Sequence, residues 1–256
     1  MQLSPPTARH WVDRWDRQQE GYLPDRETMF AVIADAVAET VRDAGRSAPI
    51  VIDLACGPGS LGARIREHLP QARVIGVDTD PVLLALARAV YGFEVVDHDL
   101  TDAGWVAALP LRVGAEAEQV DAIVSTTALH WLHSDQLAAL YAQAGALLRP
   151  GGILLNGDGM AGPTAEIERI DRAIDRGQVE RSGVADREEW ADWWTAIKQE
   201  SELADVLAER DGRAWQHPEN GGTTYEQHVE LLREAGFRAV EPVWQYGRRR
   251  ILAAVK

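Results

Sequence analysis

The sequence has little cysteine and little lysine: Cys56 is the single thiol, and two lysines occur in 256 residues. One cysteine excludes a disulfide framework within the chain and a cysteine-based zinc site. No run of about 18 apolar residues is present, so the sequence predicts no transmembrane helix. The N-terminal residues lack the basic segment and apolar run of a secretory signal peptide. These absences predict a cytoplasmic protein with no membrane partner.

Positive charge is also scarce. Asp and Glu number 40 against 26 for Lys and Arg, which gives a formal net charge of −14 and a pI near 4.9. Proteins that bind nucleic acids normally present a basic face to the phosphates, so no nucleic-acid partner is expected. The three consecutive arginines at 248–250 are a local exception. We interpret them as a solvated turn between two strands, because runs of like charge are usually exposed.

Apolar residues make up 46% of the chain, which is enough for a sizeable core. Short β-branched apolar runs alternate with helical patterns of 10 to 15 residues, as in βαβ units with a parallel sheet. The sequence therefore predicts an α/β fold, a doubly wound Rossmann-like and mostly parallel seven-stranded sheet with a terminal antiparallel hairpin and a helical lid insertion. The predicted strands lie at 49–54, 73–77, 93–96, 120–124, 153–155, 239–244 and 251–255.

Four segments follow from this pattern. Residues 1–45 are expected to form N-terminal helices that cover the active site, and 46–159 the Rossmann-like core. Residues 160–222 are charged and helical, and we interpret them as a lid insertion; the alternative is a purely structural extension, such as an oligomer surface. Residues 223–256 supply the last helix and the hairpin. Three tryptophans of the insertion either roof a pocket or dock it on the core; they are Trp190, Trp193 and Trp194.

The strongest motif is VIDLACGPGSLG at 51–62, in which a strand enters a glycine-rich turn that opens a helix. Gly57 and Gly59 lack a Cβ, so the backbone can approach a ligand closely. The spacing also matches G-x-G-x-x-G, which by itself indicates a dinucleotide. Asp53 argues against that ligand, because a carboxylate there disfavours a pyrophosphate and suits an ammonium or sulfonium group.

Acidic residues follow the next two strands. Asp78 ends VIGVD, 21 residues beyond Gly57, where a carboxylate can accept hydrogen bonds from both hydroxyls of a ribose. Asp80 is better placed than Asp78 to cap the following helix. After the third strand, Asp99 is favoured as acceptor for an adenine amino group, with Asp97 as the competitor.

Together these motifs resemble the class I S-adenosylmethionine-dependent methyltransferases over nearly the whole chain. VDAIVSTTALHWL at 120–132 is similar to the fourth-strand motif of that family, and LLRPGGILL at 147–155 to its corner before the fifth strand. Ala55 departs from the glycine that the family often has there. The resemblance implies S-adenosyl-L-methionine as cofactor, held by Asp53, Ala55, Cys56, Gly57, Gly59, Asp78, Thr79, Asp99, Leu100 and Ser125. It gives Cys56 a packing role, since no base is evident nearby.

Within that family, ALHWL at 128–132 looks like the segment of the trans-aconitate, malonyl-carrier-protein and juvenile-hormone-acid type enzymes, which esterify carboxylates. In some of these, a tryptophan N–H and a glutamine of the N-terminal helix hold the substrate. Trp131 matches by position, and Gln18 or Gln19 can supply the amide. Tyr22 is close in sequence to these glutamines, and we include it among the substrate-binding candidates. The alternative is that Trp131 is a core aromatic.

His130 is the catalytic candidate, as a general base near neutral pH, against a spectator role. We expect a small-molecule substrate, with methylation of a hydroxyl or amine as the alternative to a carboxylate, no metal, and a monomer or homodimer. Two functions of other classes stay open. An NAD-dependent oxidoreductase would use the glycine-rich turn for a dinucleotide, and a non-catalytic protein would bind S-adenosylmethionine without turnover.

Overall fold

The computed structural model describes residues 3–112, 118–162, 164–213 and 222–256. Its helices are α1 (Pro5–Tyr22), α2 (Arg26–Asp43), α3 (Ser60–His68), α4 (Pro81–Tyr91), α5 (Trp105–Ala108), α6 (Ser134–Leu147), α7 (Ala165–Ser182), α8 (Trp190–Ile197), α9 (Ala204–Asp211) and α10 (Tyr225–Glu234). Its strands are β1 (Ile50–Leu54), β2 (Arg73–Asp78), β3 (Glu94–Asp97), β4 (Val120–Thr126), β5 (Leu148–Gly159), β6 (Ala239–Tyr246) and β7 (Arg249–Val255). Short 3-10 turns lie at Leu129–Trp131 and Ser201–Leu203.

The seven strands form one sheet in the order β3-β2-β1-β4-β5-β7-β6. The first five are parallel, and β7 runs antiparallel to both β5 and β6. The predicted mostly parallel sheet with a terminal antiparallel hairpin is thus confirmed. The strand order reverses between β1 and β4, and ligands of open α/β sheets bind at such a reversal, beyond the carboxyl ends of the strands.

Apolar side chains cover both faces of the sheet. One face packs against α6 and α10 through residues such as Ile52, Leu140 and Leu232, and the other packs against α2 and α3 through residues such as Phe30 and Ile65. Because the parallel strands are buried on both faces, they appear in the sequence as continuous apolar runs. Among the described residues, no helix has the length and apolarity needed to cross a membrane.

Helices α7, α8 and α9 lie between β5 and α10 and form the insertion. Trp193 anchors it: the indole is fully buried and its Nε1 donates to the Trp11 carbonyl on α1 at 3.3 Å. The Trp193 ring also packs edge-on against Trp15, with ring centroids 5.0 Å apart. The insertion therefore shares an apolar interface with α1 and α4. Residues 214–221, at the end of the insertion, lie outside the described residues.

Two expectations about local structure differ from what the chain does. An aspartate directly before a helix is expected to cap it, but Asp25, which precedes α2, makes no side-chain cap bond. Its carboxylate accepts from the Gln178 amide of α7 instead. The 248–250 arginines are not all solvated, because Arg249 is buried with 4% of its surface exposed. By contrast, Asp80 caps α4 as expected, accepting from Val82 N at 2.9 Å and Leu83 N at 3.3 Å.

Candidate functional site

A cavity of about 890 Å³ lies at the carboxyl edge of the parallel strands, between the strand ends, α1 and the insertion. Ten of the predicted site residues line it: Gln19, Tyr22, Asp53, Ala55, Cys56, Gly57, Asp78, Thr79, His130 and Trp131. Five others are not among the cavity-lining residues of the described chain: Gln18, Gly59, Asp99, Leu100 and Ser125. The cavity therefore joins residues from the glycine-rich turn, strand β2, the segment after β4 and helix α1.

The glycine-rich turn has left-handed backbone at three points. Ala55 has φ of 53°, Gly57 of 54° and Gly59 of 87°. A Cβ on Gly57 would meet only a Leu83 methyl at 4.0 Å, so this residue leaves open space beside the cavity. A Cβ on Gly59 would lie 3.0 Å from the Phe93 ring, so Gly59 permits close packing of the helix start. An L-residue in this conformation costs about 1–2 kcal/mol, which explains the preference for glycine where this chain has Ala55.

Cys56 packs against the neighbouring strand. A Cβ on Gly76 would lie 2.6 Å from the Cys56 sulfur, so the thiol occupies the space that Gly76 leaves. Burial raises the pKa of the Cys56 thiol well above its ordinary value of 9.0. A buried thiol that stays protonated is a poor nucleophile, which agrees with the packing role.

Two acidic groups line the cavity: Asp53 is buried and Asp78 is half-buried. Asp78 accepts from Gly57 N and from Asp80 N, both at 2.8 Å. Asp53 accepts from Gly62 N at 3.1 Å. Burial raises the pKa of Asp53 to about 8, with a further contribution from the Asp78 charge, and burial raises the pKa of Asp78 to about 6. A cationic ligand in the cavity would stabilise both charged forms, whereas an anionic ligand would oppose them.

The predicted adenine acceptor lies outside the cavity wall. Asp99 is exposed, and its Oδ1 accepts from Thr101 N and Thr101 Oγ1, both at 2.8 Å. Leu100 is partly buried against the core. The competitor, Asp97, pairs with Arg213, whose Nη1 lies 2.7 Å from its Oδ1. Both carboxylates are thus engaged by protein groups.

Ser125 and Gln18 are buried and are not among the cavity-lining residues. Ser125 Oγ donates to the Leu54 carbonyl at 2.9 Å and is 1% exposed, so it joins β4 to β1. Gln18 is fully buried, and neither polar atom of its amide has a hydrogen-bond partner among the described residues. Gln19 lines the cavity and Gln18 does not, which favours Gln19 of the two alternatives.

His130 is held by a buried carboxylate that sequence reasoning missed. Asp158, at the carboxyl end of β5, lies with Oδ1 2.7 Å from His130 Nδ1 and accepts from His130 N at 3.0 Å. Burial acts to lower the pKa of His130, but the charge and hydrogen bond of Asp158 outweigh it, so the pKa is raised above 6.5. Both side chains line the cavity. The sequence feature that could have identified Asp158 is its position at the carboxyl end of the fifth strand, because the other site residues lie at the same edge of the sheet.

Cationic groups of the β6–β7 turn also reach the cavity. Arg248 and Arg249 both line it. Asp175 on α7 lies 3.3 Å from Arg248 Nε and 3.4 Å from Arg249 Nη2. The Gln178 amide oxygen accepts a further hydrogen bond from Arg249. The arginine run therefore ties the insertion to the core and adds positive charge to the wall near His130, whose pKa Arg248 acts to lower.

The insertion contributes two of its three tryptophans to the cavity. Trp190 and Trp194 line it, whereas Trp193 docks the insertion on α1. Tyr22 meets the insertion at the cavity edge, donating to Glu189 Oε2 at 2.6 Å and accepting from Trp190 N at 3.0 Å. Trp131 also lines the cavity, with 45% of its surface exposed. In the described ranges, no three metal-ligating side chains come together as a metal site.

Comparisons with known proteins agree on one domain type. Residues 51–152 match the family model described as a methyltransferase domain. Over 142 residues, the chain is 37% identical to trans-aconitate 2-methyltransferase of Azoarcus sp. (strain BH72), covering 55% of this chain and 49% of that protein. It is 32% identical over 132 residues to malonyl-[acyl-carrier protein] O-methyltransferase of Hahella chejuensis, covering 50% of this chain and 43% of that protein. The chain spans about half the length of the curated relatives it matches.

A solved structure gives the same fold over most of both chains. Magnesium protoporphyrin IX methyltransferase from Synechocystis PCC 6803, with bound SAH, aligns with a TM-score of 0.53 at 17% identity, covering 96% of this chain and 94% of that chain. Residues 51–152 of this chain therefore match a methyltransferase domain, a domain type that uses S-adenosyl-L-methionine as its cofactor, and the solved structure shares the fold. The cavity suits that cofactor, because the glycine-rich turn leaves open space at Gly57 and the carboxyls of Asp53 and Asp78 that line it suit a sulfonium and an ammonium group.

Proposed function

We propose that this chain, built around a class I methyltransferase domain, transfers the methyl group of S-adenosyl-L-methionine to a carboxylate oxygen of a small molecule. The observation that carries the proposal is a set of three side chains with N–H donors in the same cavity, two of which, His130 and Trp131, have ring centroids 4.8 Å apart. The Trp131 indole, the His130 imidazole and the Arg248 guanidinium all line the cavity that the glycine-rich turn enters. The names of the two curated relatives, a trans-aconitate and a malonyl-carrier-protein methyltransferase, support the same acceptor chemistry.

The chemistry requires little from the protein beyond binding and orientation. The cofactor supplies a methyl carbon already activated by its sulfonium group. A carboxylate oxygen attacks that carbon as the carbon–sulfur bond breaks, which yields a methyl ester and S-adenosylhomocysteine. A carboxylate needs no base, so donors that fix its orientation are sufficient. Trp131 and Gln19 are proposed to orient the acceptor from different walls of the cavity.

His130 is proposed to hold the acceptor as a charged donor. Asp158 raises the pKa of the imidazole, so the protonated form is favoured, and its Nδ1–H is committed to Asp158. The remaining N–H, on Nε2, is then available to a carboxylate in the cavity. Charge-assisted hydrogen bonds of this kind are roughly twice as strong as neutral ones.

A second candidate is methylation of a hydroxyl or amine, which the same histidine–aspartate pair favours. If the imidazole is neutral, Asp158 fixes the proton on Nδ1 and leaves Nε2 as a base, so His130 would then act in catalysis by taking the acceptor proton. The two functions predict opposite pH dependence. A charged donor loses activity as the pH rises through the His130 pKa, whereas a base loses activity as the pH falls through it.

The experiment measures S-adenosylhomocysteine formation with a panel of acceptors that share one skeleton and differ only in carrying a carboxylate, a hydroxyl or an amine. The proposal expects turnover of the carboxylates, with KM rising as the pH rises through the raised pKa of His130. Trp131→Phe is expected to raise acceptor KM about tenfold while leaving S-adenosylhomocysteine affinity unchanged. Trp244→Phe, at a partly buried tryptophan packed against the core, is the matched control. Turnover of hydroxyl or amine acceptors alone, with activity lost at low pH, would contradict the carboxylate proposal.

The insertion is proposed to act as a lid over this reaction, within residues 160–222, and the N-terminal helices within 1–45 to form the opposite cover. Support comes from the cavity wall, to which Trp190 and Trp194 contribute from the insertion and Trp15 from α1. Covering the acceptor would exclude water from the methyl donor.

A further inference from the structure

Two arginines at the end of the insertion contact Thr79 and Asp80, the two residues that link Asp78 at the end of β2 to α4. We propose that Arg210 and Arg213 are positioning residues for the cofactor: they hold the β2–α4 loop so that Asp78 is in place for the ribose, and they make cofactor retention depend on the insertion. The inference concerns cofactor binding and is independent of which acceptor group is methylated.

Arg213 bridges the ends of two adjacent strands. Its Nη1 donates to the Thr79 carbonyl at 2.5 Å and to Asp97 Oδ1 at 2.7 Å, and its Nη2 lies against the second Asp97 oxygen. Asp78 and Asp97 are register partners in the β2–β3 pair. The guanidinium therefore fixes the loop after β2 relative to the end of β3 and adds a positive charge between two acidic strand ends.

Arg210 holds the other end of the same loop. Its Nε lies 2.7 Å from Asp80 Oδ2 in an ion pair with side-chain exposures of 12% and 8%. Its guanidinium stacks over the Trp194 ring at 3.8 Å. Asp80 uses its other oxygen to cap α4, and its backbone N–H donates to Asp78 Oδ1 at 2.8 Å. A continuous set of contacts thus runs from the insertion through Asp80 to Asp78.

The two arginine contacts bear on how the Asp78 carboxylate is oriented. Asp78 is half-buried and lines the cavity, and its carboxylate is oriented by the backbone N–H groups from which it accepts hydrogen bonds. Those N–H groups belong to Gly57 and Asp80. Freeing Asp80 and Thr79 from the arginines would let the loop move and would loosen Asp78, which costs cofactor affinity more than it costs the chemical step.

The test measures S-adenosylhomocysteine affinity by calorimetry and dissociation rate by stopped flow for wild type, Arg213→Ala, Arg213→Lys and Asp97→Asn. Arg213→Ala is expected to weaken binding about tenfold through faster dissociation, and to raise cofactor KM with kcat unchanged at saturation. Arg213→Lys should recover part of the loss, since one ammonium replaces a forked contact. In the Asp97→Asn background, Arg213→Ala should have a smaller effect, because the pair is already broken.

Arg169→Ala is the matched control, since Arg169 is an exposed arginine on α7 of the same insertion. Thermal unfolding of each variant separates loss of fold from loss of binding, and Arg213→Lys keeps the test valid if the alanine variant unfolds. Wild-type affinity and dissociation rate in Arg213→Ala would overturn the inference. Failure of the wild-type chain to bind S-adenosylhomocysteine would overturn both the inference and the proposed function, whereas binding without turnover of any acceptor would count against the proposed function alone.

Discussion

Replacing Asp53 by asparagine is expected to stabilise the cofactor-free protein while weakening cofactor binding. Asp53 is 2% exposed and accepts a hydrogen bond from Gly62 N. Burial raises its pKa from 3.8 to about 8. Because the folded pKa lies above the unfolded one, the stability that this group contributes is fully present below pH 3.8 and is lost as the pH rises toward 8.

The magnitude follows from the linkage between pKa and stability. Each pH unit between the two pKa values costs the folded state about 1.4 kcal/mol. Over the roughly three units between 3.8 and neutral pH, Asp53 therefore lowers the free energy of unfolding by about 4 kcal/mol. The asparagine side chain would keep an acceptor for the Gly62 N–H without this dependence, so Asp53→Asn should gain stability relative to wild type as the pH rises.

Denaturant unfolding of both proteins at pH 5, 6 and 7, without cofactor, measures this difference. The control is Asp121→Asn, at a fully buried carboxylate paired with Arg149 at 2.7 Å and Arg46 at 3.1 Å; losing a buried pair should destabilise by about 3–5 kcal/mol. If the stability gain of Asp53→Asn over wild type does not grow with pH, the ionised Asp53 carboxylate does not destabilise the folded protein as proposed. Unchanged S-adenosylhomocysteine affinity would refute its role toward the cofactor.

Two packing predictions follow from the same structure. Gly76→Ala should destabilise the fold by about 1–3 kcal/mol, because the alanine Cβ would lie 2.6 Å from the Cys56 sulfur. Thermal unfolding measures this loss of stability. The double variant Gly76→Ala/Cys56→Ala should recover most of the loss. Trp193→Ala should cost about 3–5 kcal/mol of unfolding free energy, since the fully buried indole seals the insertion to α1. An insertion that resists proteolysis as in wild type would contradict the anchoring role of Trp193.

The sheet could be predicted from sequence because its signals are local. Parallel strands buried on both faces give short apolar runs, and the helices between them carry their own caps, as Asp80 before Pro81 shows. Asp25, directly before α2, does not act as the cap that its position would suggest. Its side chain has a partner 153 residues away, Gln178, and such a partner is not visible in local spacing.

The site was predictable on its cofactor side and less so on its acceptor side. The glycine-rich turn and Asp78 are contiguous with strands, so their place follows from the fold. Asp158 was missed because its partner, His130, approaches from a different strand end. Arg249 was expected in solvent, but the insertion covers it through Gln178 and Asp175. Where the insertion packs depends on tertiary contacts that the sequence pattern does not encode locally.

Binding of the S-adenosyl cofactor through the acidic end of β2 underlies everything proposed for this chain, and one calorimetric experiment examines it. Purified protein is titrated with S-adenosylhomocysteine and, separately, with NADH, and Asp78→Ala is titrated beside the wild type. We expect binding of S-adenosylhomocysteine alone, lost or strongly weakened in Asp78→Ala. Binding of NADH, or S-adenosylhomocysteine binding that survives unchanged in Asp78→Ala, would show that the cavity does not hold the cofactor in this way.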